Sequence, residues 1–118
     1  EQALQKLAKT KGVISCIIAS PDGFAIAKAG QQSQKIDRLA AMSSSASAVA
    51  NALVGELQFE SLNAQIIDAT QGKIIVMSLL TKKQELALLC TCTSEALIGQ
   101  VLYGAKSAAK EIIDHFNH

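Results

Sequence analysis

The sequence predicts an α/β (α+β) domain arranged as a three-layer α-β-α sandwich. A five-stranded, mainly antiparallel sheet lies at its centre, and the elements follow in the order α-β-β-α-β-β-β-α. Three observations carry this reading. The runs VISCIIAS, KIIVMSLL and LALLCTC are apolar on both alternating faces, so each strand expects cover above and below. Short turns join neighbouring runs, which gives hairpins and a meander instead of long crossovers. Helical periodicity appears in the middle and at the end of the chain, supplying a layer for each side of the sheet. No repeat, low-complexity tract or linker interrupts the 118 residues, and one domain over 1–118 is the natural count.

Residues 2–9 place Leu4, Leu7 and Ala8 at helical spacing and stop at Gly12. Val13–Ser20 reads as a strand, Pro21-Asp22-Gly23 as a tight turn and Phe24–Ala29 as the returning strand. The long helix spans Ile36–Phe59. Its inward stripe comprises Ile36, Leu39, Ala40, Ser43, Ala46, Ser47, Ala50, Leu53, Val54 and Leu57, apolar but mostly small. Ser61–Ala69 alternates imperfectly, as an edge strand does, and Lys73–Leu80 and Leu86–Cys92 complete the meander. Thr93 or Ser94 is expected to cap a last helix with Glu95 in its first turn. That helix continues through Leu97, Val101, Ala105 and Ile112 to Phe116. Gly99 and Gly104, inside it, are expected to allow close packing on the sheet.

Composition narrows the function. Hydrophobic residues make up 49% of the chain but aromatics only 3%, which leaves no platform for stacking bases. The net charge is +1 and the lysines are scattered, so no phosphate-tracking stripe exists and nucleic acid is not an expected partner. No apolar run reaches the ~20 residues of a membrane span. The first residue is Glu and not Met, as in a trimmed chain, which leaves a removed leader open. Cys16, Cys90 and Cys92 all sit in apolar strand runs, a usage that favours the cytoplasm.

No catalytic set emerges, and the residues ask for no cofactor or metal. Cys90 and Cys92 point to one face of a strand, roughly 7 Å apart, but lack the further Cys or His ligands that zinc needs. Core packing is the simpler role for them. His115 and His118 end the last helix, where a cation suits the helix dipole and a residual tag is an equal explanation. Ser43-Ser44-Ser45 could accept phosphate, but its mid-helix place favours packing. Arg38 is the only arginine. An arginine finger is one role for it; a solvated or interface charge is the plainer one, because a helix shoulder reaches poorly into a partner's active site.

The outer circumference of the long helix is unusual. Where Lys and Glu normally sit, it carries Ala41, Ser44, Ser45, Ala48, Val49, Ala52 and Gly55, with Arg38 and Glu56 as its main charges. A helix small on both sides covers its own sheet with one and something else with the other.

The element order resembles the roadblock/dynein light-chain family, whose fold is profilin-like. So do Leu4-x-x-Leu7 with Gly12-Val13, Asp22-Gly23 followed by Phe24-Ala25-Ile26-Ala27, the Ala/Ser-rich central helix, and the final helix after LALLCTCTSE. The similarity spans almost the whole chain and looks most like the compact prokaryotic members that work with small Ras-like GTPases. It implies a homodimer in which third strands align edge to edge and central helices pack antiparallel, forming a platform for a GTPase. On the helix the expected contacts are Met42, Ser45, Val49, Ala52 and Glu56, with Arg38 and Phe59 at its ends. On the edge strand they are Leu62, Ala64, Ile66 and Asp68. The family needs no catalytic residue of its own. The alternatives are a small-ligand sensor with Gly99, Gly104 and Cys92 lining a cavity, and an enzyme using Cys90 or Cys92.

Overall fold

A computed structural model of the chain describes residues 2–32 and 35–118. Its elements are α1 (Gln2–Ala8), β1 (Val13–Ala19), β2 (Ala25–Gly30), α2 (Ile36–Glu56), β3 (Gln65–Ala69), β4 (Gly72–Leu80), β5 (Glu85–Thr93) and α3 (Ile98–Phe116). The predicted order holds. All strand pairs are antiparallel and the sheet runs β2-β1-β5-β4-β3, so β1 and β5 meet in its middle while β2 and β3 form its edges.

The two-faced strands are covered as their composition requires. Cys16 and Ile18 of β1 turn to one side, where they pack with Leu4 and Leu7 of α1 and Val101, Ala105 and Ile112 of α3. Ile17 and Ala19 turn to the other, where Ala40 of α2 meets them with Val76, Ala87 and Leu89. Alternate residues of a strand face opposite ways, so every central strand feeds both layers. The buried face of α2 is Ala40, Ser43, Ser47 and Ala50, small enough for the helix to lie close to the sheet. Its serines serve this contact. The Ser43 hydroxyl donates to the Leu39 carbonyl at 2.7 Å, and the Ser44 hydroxyl donates to the Ser20 carbonyl at 2.6 Å, tying α2 to the β1–β2 turn. In that turn Gly23 supplies the positive φ of +90°.

Three boundaries and one packing contact differ from expectation. Neither Thr93 nor Ser94 caps the last helix: α3 begins at Ile98, Leu97 stands at its N-cap without a side-chain bond, and Glu95 lies outside it. The Thr93 amide is engaged with the Gly12 carbonyl at 2.8 Å, extending the strand, and the Lys73 ammonium holds the Ser94 and Ala96 carbonyls at 3.0 and 3.3 Å. These bonds fix residues 93–96 as a turn. The long helix stops at Glu56, short of Phe59. The Gln58 amide donates to the Gly55 carbonyl at 3.1 Å and the Phe59 amide to the Val54 carbonyl at 3.0 Å, with Gln58 left-handed at φ 57°. This is a Schellman closure carried by glutamine in place of glycine. Glu60 is also left-handed at φ 78°, and the chain joins β4 only from Gln65, so Leu62 and Ala64 precede the edge strand. Finally, Gly104 approaches α1 and not the sheet, with a Cβ there lying 3.3 Å from Leu7, while Gly99 faces open space.

Candidate functional site

The most conspicuous surface is the outward side of α2 together with the chain that follows it. Arg38, Met42, Ser45, Val49, Ala52 and Glu56 are all exposed, as their helical spacing predicts. Two residues expected on the inward stripe are exposed as well: Leu53 at 62% and Leu57 at 60%. The contact with the sheet is made by the first two thirds of α2, and its last buried residue is Ala50. Beyond it Leu53 and Leu57 join Met42 and Val49 as large apolar side chains in water, and Phe59 follows at 67% exposure. Leu53 and Leu57 are thus surface residues that sequence periodicity missed. Periodicity identifies a stripe but does not say how far along it the sheet extends.

The remaining expected contacts lie on the β3 edge and the chain leading into it. Its pairing with β4 sets which way each residue faces. Ile67 opposes Ile74, on the α2 side, whereas Ile66 opposes Ile75, on the α1/α3 side. Ile66 and Asp68 therefore project away from α2, and Ala64 packs beneath the α1/α3 layer; Leu62 is half-buried. Ile67, absent from the expected contacts, is the exposed isoleucine that shares the α2 side. The two-residue turn at Thr70-Gln71 fixes this parity through the Ala69–Gly72 pair. An edge strand is open along its backbone whichever way its side chains point, so β3 offers unpaired amides and carbonyls outward.

The cysteines form a closed cluster. Cys16 and Cys90 are direct partners across β1 and β5 with their sulfurs 3.9 Å apart, and Cys90 and Cys92 are 4.0 Å apart, nearer than ideal strand geometry gives. All three thiols are free and buried. The hydrogen bond with Cys16, reinforced by burial, raises the Cys90 thiol far above its ordinary range. Burial, then the neighbouring Cys90, pushes Cys92 up to about 12. Thiols held this firmly protonated are poor nucleophiles and poor ligands. Among the described residues no group of three or more His, Cys, Asp and Glu is placed to hold a metal.

Two recesses flank α3. The larger, about 700 Å³, lies where the helices end above Ile18, Ile26 and Ala27, with Gln84, Glu111, His115 and Phe116 around it. The smaller, about 390 Å³, runs between α1 and α3 beside Tyr103 and Gly104. Of the residues expected to line a cavity, Gly104 does so; Gly99 and Cys92 line neither. No helix among the described residues is long and apolar enough to cross a membrane.

The site thus combines a three-layer α-β-α sandwich, an open β3 edge and a central helix with exposed apolar side chains, and the first of these defines the class of fold. The chain belongs to the Roadblock/LC7 domain family, whose sequence pattern matches residues 1–90. Solved structures agree on the fold. Myxococcus xanthus MglB superposes with a TM-score of 0.86 at 17% identity, covering 98% of this chain and 92% of that one. A Roadblock/LC7 domain from Streptomyces avermitilis gives 0.85 at 14%, covering 97% and 94%. The gliding protein MglB from Thermus thermophilus gives 0.85 at 16%, covering 98% and 86%. No curated protein matches the sequence.

Proposed function

We propose that this chain is a non-catalytic, homodimeric scaffold that binds and regulates a small Ras-like GTPase, or a larger signalling complex, through α2. One observation carries the reading: the outward side of α2 and the stretch after it leave Met42, Val49, Leu53, Leu57 and Phe59 in water, and β3 ends the sheet as an unpaired edge. Contiguous exposed apolar surface of this kind marks an association site. In the dimer, β3 strands align across the twofold, α2 helices pack against each other, and the paired helices offer the platform for the GTPase. Arg38 serves there as an interface charge. Relatives in the same fold include one described as MglB with a tetrameric arrangement, which supports assembly beyond a single copy. Three free thiols are what a reducing compartment permits, in keeping with a cytoplasmic location. Light scattering tests the dimer, and affinity purification from the native cell, with and without a non-hydrolysable GTP analogue, tests the GTPase. A single-subunit mass at high concentration overturns the dimer.

The 700 Å³ recess favours a second reading, a small-ligand sensor, because its size and largely apolar walls fit a metabolite. A thermal shift with a small molecule, and none with a nucleotide-loaded GTPase, would put this reading first.

A further inference from the structure

The exposed row on α2 reads the same from either end. Arg38, Met42, Ser45, Val49, Ala52 and Glu56 are separated by steps of four, three, four, three and four residues. That is the spacing of a helix–helix seam. Reversed upon itself, the row sets Arg38 against Glu56, Met42 against Ala52, and Ser45 against Val49, with a centre at residue 47. Eighteen residues separate the two charges, five full turns, so both stand on one side of α2 about 27 Å apart. Between them the row carries no charge.

Each charge is also at the unfavourable end of its own helix. Arg38 lies in the first turn of α2, where the dipole is positive, and Glu56 is its last residue, where the dipole is negative. Neither has a partner among the described residues that would offset this. A second copy running antiparallel removes both conflicts, because it brings its negative helix end to Arg38 and its positive end to Glu56. A parallel copy would place Arg38 on Arg38 and Glu56 on Glu56.

We infer that Arg38 forms an intersubunit ion pair with Glu56 of the partner subunit, twice per dimer, and that these two pairs fix the direction and register of the α2 seam. The inference rests on the homodimer proposed above and commits to one occupant of this face, a second copy of the chain. Charge complementarity at the rim selects orientation more than it adds affinity, so the apolar seam supplies the association and the ion pairs supply its geometry.

Charge reversal tests it, because both residues are exposed and neither supports the fold. Sedimentation of the wild type, Arg38→Glu, Glu56→Arg and the double reversal is compared at low and moderate salt. The expected result is a dimer weakened at least tenfold by each single change and restored to within about threefold of wild type by the double. Each single variant should melt no lower as a monomer, since its new charge suits its own helix end. A wild type that sediments as a monomer overturns the dimer itself. A dimer indifferent to single reversals, or one that the double reversal fails to restore, keeps the dimer and overturns the ion pairs.

Discussion

The amide of Phe59 donates to the carbonyl of Val54 across 3.0 Å, and this bond ends α2 while turning the next side chain into solvent. The turn depends on Gln58 at φ 57°, a conformation that costs an L-residue with a Cβ roughly 1–2 kcal/mol and glycine almost nothing. Gln58→Gly should therefore stabilise the fold by roughly 0.5–1 kcal/mol, the gain being reduced by glycine's greater freedom when unfolded. Urea unfolding at one fixed protein concentration checks this; a lower midpoint with an unchanged slope would contradict the closure described.

Val49→Glu and Ala52→Arg each place a charge in the middle of the exposed α2 row. Both residues are exposed in the single chain, so secondary structure and monomer stability should change by less than about 0.5 kcal/mol. In the proposed dimer each change leaves an unpaired charge in a packed seam, at a cost of about 3–5 kcal/mol. Light scattering should then report a single-subunit mass. A variant that keeps the wild-type mass assigns the interface elsewhere.

Gly12 joins α1 to β1 at φ +91°, and a Cβ built on it would stand 2.6 Å from the Ala96 Cβ. Gly12→Ala combines a left-handed alanine with a steric conflict against the turn that precedes α3. A loss of about 2–4 kcal/mol is expected, read as a lower melting temperature. An unchanged melting temperature would mean that this corner yields freely.

The thiol cluster makes stability depend on alkaline pH. The fold favours the protonated Cys92, whose titration moves from 9.0 to about 12. The unfolded chain releases its proton first, so this contribution is complete below pH about 9 and declines as pH rises towards 12. The limiting slope is about 1.4 kcal/mol per pH unit for one proton. Cys92→Ala should flatten the decline, with Cys90 still contributing in the same direction. At a pH of about 8, below the ordinary thiol range, a thiol reagent should label the native chain slowly and the urea-unfolded chain at once. Fast native labelling would sink the packing role of these residues.

Much of the architecture was legible from the sequence. Unbroken apolar runs in Val13–Ser20 and Lys73–Leu80 revealed strands covered twice, and Asp22-Gly23 marked the hairpin, because such signals arise within a few neighbouring residues. Apart from the end of α2, which a local closure at Gln58 sets, the errors share a cause: they depend on distant partners. Thr93 looks like a cap but is held by Gly12, 81 positions earlier. Leu53 continues a helical stripe, yet the sheet beneath it has ended. That Ile67 and not Ile66 takes the α2 side is decided only by pairing with β4. The Cys16–Cys90 contact needs the β1–β5 ladder, which joins segments 74 residues apart. On the outward α2 row sequence spacing sufficed, since exposure there follows from the helix alone.

That ladder has a consequence for how the polypeptide is made. β1 leaves the ribosome before the other strands but pairs in the sheet's middle with β5, the last strand to emerge. Until then the amino-terminal hairpin and the growing β3–β4 pair have no seam between them, and α2 has only part of its floor. A closure spanning so much sequence is slow compared with local helix formation. Nascent chains halted before Glu85 should stay protease-sensitive, and resistance should appear abruptly once β5 has cleared the exit tunnel.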